Sequence, residues 1–186
     1  MSDYRAVMIG GSAGSFQVVA KILATIPKTF DLPVFMCLHR LKHVRSGFVE
    51  ALSIKSNLPI VEPFDKEAVR SGRVYLAPAN YHMYIDADKR FSLSTEDPEN
   101  HSRPSIDLSF ITAAQTYKSK LVGIILSGAN KDGAKGLKAV KDNGGYTIVQ
   151  DPKEAQVDTM PAASQAITKV DLVLTTDQII SFLSKL

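Results

Sequence analysis

Three polar residues each stand just beyond an apolar run: Ser12 after AVMI (6–9), His39 after PVFMCL (33–38) and Asp132 after LVGIIL (121–126). A serine hydroxyl is a poor nucleophile until an imidazole takes its proton, and a carboxylate fixes the tautomer of that imidazole and stabilises its cation. These residue types suit acyl transfer, and their places suit it too, because open parallel sheets build sites at the carboxyl ends of their strands.

The glycines around Ser12 admit three readings: a turn, a phosphate loop or a nucleophile. GGSAGS does not fit G-x-G-x-x-G, and Leu38 and His39 stand where an acidic ribose ligand is expected. The second glycine loop, GANKDGAKG (128–136), lacks the Gly-Lys-Ser/Thr order of a P-loop. Gly10-Gly11-Ser12-Ala13-Gly14 does match G-x-S-x-G, a tight strand-to-helix turn that lifts a hydroxyl above the sheet. The amide of Ala13 and the following helix N-terminus then favour the negative charge of an oxyanion. The order Ser, His, Asp differs from the Ser, Asp, His order of α/β-hydrolases. Plainer alternatives stay open here: Ser12 as a turn residue, His39 as a loop histidine, Asp132 as the cap of its own helix. His39 and His43 are four apart, but HRLKH lacks the glutamate of H-E-x-x-H, so neither a metal nor an organic cofactor is expected.

Positioning these groups requires alternating strands and helices. Strands are expected at 6–9, 33–38, 121–126, 146–150 and 171–174, and their near-continuous hydrophobicity suits strands covered on both faces. Helices are expected at 15–26, 46–54, 103–117 and from Asp132 to the Gly144-Gly145 pair, each with an apolar stripe at helical spacing. GRVYLAPANYHMYIDADKRFSLST (72–95) reads as antiparallel hairpin strands, and STEDPENHSRPS (94–105) as an exposed polar loop. The pattern predicts one domain over 1–186 with an α/β fold: a three-layer, doubly wound, mostly parallel, Rossmann-like sheet with an antiparallel hairpin at one edge.

Composition narrows the class. The chain has 186 residues, 45% hydrophobic and 22% charged, with a formal charge of +3. That charge is too mild to argue for nucleic acid, and no run approaches the roughly 20 apolar residues of a membrane span. The N-terminus lacks the pattern of a signal peptide, so a cytoplasmic location without membrane insertion is expected. The lone Cys37 sits in an apolar run and reads as a buried structural thiol.

Taken in order, the motifs resemble the protein-glutamate methylesterases of chemotaxis, specifically the CheB catalytic domain, from about Ala6 to the C-terminus. IGGSAGS (9–15) resembles the nucleophile turn and LHR (38–40) the histidine turn. GRVYLAPANYHM (72–83) resembles the Ala-Pro hairpin with its following histidine, and RPSIDLSF (103–110) the Arg-Pro-Ser helix start. LSGANKDGAKG (126–136) resembles the aspartate loop and QDPKEAQVDTMPAAS (150–164) the closing segment. The resemblance implies a serine hydrolase acting on glutamate γ-methyl esters of methyl-accepting chemoreceptors, with receptor glutamines as a second substrate. In it Ser12 is the nucleophile, His39 the general base, Asp132 the orienting acid, and the amides of Ala13 and Ala129 the oxyanion donors, with no cofactor. A non-catalytic receptor-binding module of the same fold is the alternative.

Two loops depart from the family pattern: Ala129-Asn130 replaces its usual Met-Gly, and Arg40-Leu41 its usual Met-Pro. The family's N-terminal receiver domain has no counterpart before Ala6, which leaves three expectations: a stand-alone enzyme, one regulated by a separate protein, or a piece of a longer chain. Arg40, Lys42, His43 and Arg45 crowd the segment beside His39, either as a solvated helix start or as a rim that attracts acidic receptor helices.

Overall fold

The computed structural model describes residues 3–39 and 47–186. Its elements run β1 (Ala6–Gly11), α1 (Phe16–Thr25), β2 (Val34–Leu38), α2 (Phe48–Ser53), β3 (Ile60–Val61), β4 (Val74–Leu76), β5 (His82–Ile85), β6 (Phe91–Ser94) and α3 (Ile106–Tyr117). They continue with β7 (Leu121–Ile125), α4 (Ala134–Asp142), β8 (Tyr146–Gln150), α5 (Thr159–Ile167), β9 (Leu172–Leu174) and α6 (Thr176–Leu183). Among the described residues, seven strands form one sheet in the order β3-β4-β2-β1-β7-β8-β9, with every neighbouring pair parallel.

The alternation of side chains along a strand divides the core into two layers. Val7, Ile9, Val34 and Met36 face one way, against Val19, Ile22 and Leu23 of α1, Leu52 of α2 and Ile179 and Leu183 of α6. Ala6, Met8, Phe35 and Cys37 face the other way, against Phe110 and Ala113 of α3, Leu137 and Val140 of α4 and Met160 of α5. Cys37 is fully buried. With helices on both faces, β1, β2 and β7 are buried along their whole length, which explains their unbroken apolar sequences. Among the described residues no helix is long and apolar enough to cross a membrane.

The fold is therefore the three-layer, mostly parallel α/β arrangement expected; β3, α5 and α6 add to the expected elements, and 72–95 divides differently. Val74–Leu76 does not join the hairpin; it lies parallel between β2 and β3, with Val74 paired to Val34 and Leu76 to Met36. The antiparallel pair is β5 with β6, a two-stranded sheet of its own. It rests on α3, where Ser109 Oγ donates to the Met83 carbonyl and Thr116 Oγ1 to that of Ile85, while Thr112 Oγ1 accepts from the Ile85 N–H. The hairpin thus serves as a buttress for α3 beside the main sheet.

β1 is central. On one side of it lie β2, β4 and β3, the chain passing from β2 to the edge strand β3 and back to β4 between them; on the other side it adds β7, β8 and β9 in turn. The crevice at the carboxyl ends of β1 and β7, where the winding reverses, is where such sheets place ligands.

Candidate active site

Register brings Ser12 and His39 together. Gly11 pairs with Leu38 at the end of the β1–β2 ladder, and the His39 N–H extends it by donating to the Gly11 carbonyl at 3.1 Å. Ser12 and His39 are thus the next residues on adjacent parallel strands. On the other side the Ser12 N–H donates to the Ser127 carbonyl at 2.9 Å, so the serine sits at the winding reversal. The chain then turns sharply: the N–H and Oγ of Ser15 both donate to the Ser12 carbonyl, at 3.0 and 2.7 Å. Gly14 has φ +80°, and a Cβ there would meet Ser127 Oγ at 2.7 Å, so the turn requires glycine for both conformation and space. Ser127 Oγ also donates to the Ala13 carbonyl at 2.7 Å and accepts from the Val157 N–H, tying this turn to the loop after β8. Among the described residues Ser12 Oγ has no hydrogen-bond partner.

The imidazole of His39 meets the carboxylate of Asp132, Nε2 to Oδ2, at 2.7 Å; the histidine side chain is 12% exposed and the aspartate fully buried. An ionised carboxylate only accepts, so Nε2 carries the hydrogen, and in the neutral imidazole Nδ1 keeps its lone pair.

Asp132 stands just before α4, yet its carboxylate does not cap that helix. It reaches across to the start of α3, accepting the N–H of Ile106 at 2.7 Å, the N–H of Asp107 at 3.0 Å and the hydroxyl of Ser105 at 3.1 Å. The return contact comes from Asp107, whose Oδ1 accepts the N–H of Gly133 at 2.9 Å and of Gly136 at 2.7 Å, at the start of α4. Each helix start thus holds the carboxylate carried by the other, and Asn100 bridges both at 3.1 and 3.3 Å. Burial works to raise the pKa of Asp132, but the hydrogen bonds from His39 and from the Asp107 and Ile106 amides outweigh it and hold the group below the ordinary carboxylate value. Asp107 goes the other way: burial raises it and the charge on Asp132 adds to that, against the Gly136 and Gly133 amides.

Behind this arrangement stand Ser105, His82 and Asn130. Ser105 is the N-cap of α3, accepting from the Leu108 N–H, which its place after Pro104 suggested. His82, fully buried, accepts the Ser105 N–H on Nδ1 at 3.2 Å and donates from Nε2 to the Asp97 carbonyl at 3.0 Å. The one available signal was its place in GRVYLAPANYHM. In the sequence Asn130 stands out only as a departure from a family pattern; its Nδ2 lies 3.5 Å from His39 Nδ1.

Ala13 and Ala129 lie exposed in the two loops that flank the crevice, and among the described residues neither backbone N–H has an acceptor. Arg40, Lys42, His43 and Arg45 fall outside the described residues. Among the described residues no group of three or more His, Cys, Asp or Glu is arranged to hold a metal ion. A cleft of about 390 Å³ opens beyond β4, lined by Glu62, Pro78, Ala79, Asn80, Tyr81, Thr95 and Arg103. Leu76, Met36 and Ile9 are level across the sheet, so this cleft begins roughly 10 Å from Ser12 along the same strand-end edge.

Residues 7–183 match the family described as CheB methylesterase. A protein of Leptospira interrogans is 44% identical over 177 residues, which cover 95% of this chain and 92% of that one. The protein-glutamate methylesterase/protein-glutamine glutaminase of Clostridium acetobutylicum is 37% identical over 94% of this chain, which spans 50% of that longer protein. The crystal structure of the Thermotoga maritima CheB methylesterase catalytic domain superposes with a TM-score of 0.92 at 33% identity, covering 100% of this chain and 99% of that one.

Proposed function

Because the chain belongs to the CheB methylesterase family, we propose that it is a serine hydrolase that removes methyl groups from glutamate γ-methyl esters on the cytoplasmic helices of chemoreceptors, and that it deamidates receptor glutamines by equivalent chemistry. The observation that carries this reading is the buried Asp132 on Nε2 of His39 beside Ser12, which leaves Nδ1 as the base atom. This is the opposite ring edge from that used in serine-protease triads, where the carboxylate takes Nδ1.

In the proposed reaction His39 Nδ1 takes the proton of Ser12 Oγ, and Oγ attacks the ester carbonyl carbon. The N–H groups of Ala13 and Ala129 donate to the oxyanion. As the intermediate collapses the C–OCH3 bond breaks, and the proton on Nδ1 passes to the methoxy oxygen, releasing methanol. Water then loses a proton to the same Nδ1 and attacks the acyl carbon, freeing the glutamate carboxylate as Ser12 recovers its proton. Asp132 stays ionised throughout, which its hydrogen bonds favour.

The test is methanol release from a methylated receptor cytoplasmic fragment. Wild type is expected to turn over and Ser12→Ala to fall to background. Binding of the fragment without methanol release by wild type would favour the docking-module alternative.

A further inference from the structure

Asn130 lies beside the atom that handles the proton. Its Nδ2 is 3.5 Å from Nδ1 of His39, at the outer limit of a hydrogen bond, and its Oδ1 accepts the backbone N–H of Asp132 at 3.1 Å. The second bond fixes the orientation of the amide, since a backbone N–H only donates and must face the oxygen. A pair of N–H donors is thereby held next to Nδ1. The contact is long and weak, so Ser12 Oγ–H or a leaving group can displace it.

Resting on the serine hydrolase reading, we propose that Asn130 is a specificity-determining residue that favours ester over amide as the leaving group. The two leaving groups differ in lone pairs. In the tetrahedral intermediate a methoxy oxygen has two: one takes the proton from Nδ1 as the C–O bond breaks and methanol departs, and the other accepts an N–H from Asn130. An amino nitrogen has one. When it takes the Nδ1 proton and the C–N bond breaks to release ammonia, nothing remains to accept from Asn130, and its own two N–H groups face the donors of the asparagine. An unpaired donor in a site that binds its partner well is the kind of feature that separates near-isosteric substrates.

The experiment compares methanol release from a receptor fragment carrying glutamate γ-methyl ester with ammonia release from the same fragment carrying glutamine, as a ratio of kcat/KM. Asn130→Gly removes the donors. Asn130→Asp keeps an oxygen for the Asp132 N–H and puts an acceptor where the donors were, so it separates specificity from loop architecture. The ester-to-amide ratio is expected to fall roughly three- to tenfold in Asn130→Gly, and at least as far in Asn130→Asp. If wild type releases methanol without measurable ammonia, the appearance of ammonia in the variants takes the place of the ratio. An unchanged ratio, continued absence of ammonia, or equal loss of both activities in both variants overturns the proposal. Release of neither product by wild type overturns the reading beneath it.

Discussion

Asp132 and Asp107 illustrate how two buried carboxylates with nearly the same surroundings acquire opposite effects on stability. Asp132 is held below its ordinary pKa, so its contribution is present above its unfolded value near 3.8 and is lost as pH falls through the lower folded value. Asp107 is raised, so its contribution is fully present below that unfolded value and is lost as pH rises through the folded one. At neutral pH the charge on Asp107 is therefore a cost and that on Asp132 a gain. Asp132→Asn should destabilise the protein by about 1–3 kcal/mol at pH 7, since its amide NH2 faces donors, and the loss should narrow on acidification below pH 4. Asp107→Asn should be milder at pH 7, because it removes the repulsion as well as the acceptor. Urea unfolding of both variants between pH 3 and pH 7 tests the signs; an Asp107→Asn loss equal to or larger than that of Asp132→Asn would contradict them. In the sequence, the candidates Ser12, His39 and Asp132 stand out because each follows an apolar run. Asp107 and His82 do not, because a buried polar residue takes its meaning from partners up to 29 positions away in the chain, as with Asp107 and Gly136.

At the scale of elements, the first glycine of GGSAG has a role that the nucleophile pattern hides. Gly10 lies inside β1, and a Cβ there would meet Ile106 Cγ2 at 2.6 Å and Phe110 Cε2 at 3.0 Å. Its lack of a side chain lets α3 settle on the sheet, and α3 is the helix whose first turn holds Asp132. Gly10→Ala should push that helix outward, costing about 1–3 kcal/mol and lowering kcat more than KM, because in the proposed reaction the displaced group orients the base and does not bind substrate. Thermal unfolding together with steady-state kinetics checks this; a stability loss with kcat intact would separate α3 packing from the site. From sequence Gly10 reads as part of a turn, because a glycine in sequence does not reveal whether it serves conformation or close approach. The division of 72–95 had a similar cause. Alternating β-rich runs with turn residues between them look alike whether the partner strand is local or, as for Val74 with Val34, 40 positions away. β3, two residues long, was too short to show any pattern.

For the whole molecule, the candidate site draws on chain segments more than 90 residues apart, and the groups joining them are anchored at the starts of α3 and α4. Ser12 follows β1, His39 follows β2, and Asp132 precedes α4 while anchored to α3; the turn at Ser12 is held by Ser127 after β7 and, through it, by the loop after β8. No single supersecondary unit contains the constellation. The parts could lose their mutual geometry early in unfolding only if Asp132 and Asp107 left their reciprocal helix starts, exposing buried carboxylates and orphaning the amides of Ile106, Asp107, Gly133 and Gly136. Those groups lie against the same layer that holds Phe110 and Leu137, so separating them dismantles that layer of the core. Reactivity of Ser12 toward a serine-directed acylating probe should therefore disappear over the same urea range as the far-UV circular dichroism, with one midpoint for both signals. A lower midpoint for Ser12 reactivity would mean that the site melts as a separate unit. In that case the hydrogen bonds between α3 and α4 would be attachments to an independently stable sheet, rather than the means by which the fold and the candidate catalytic groups are held in one geometry.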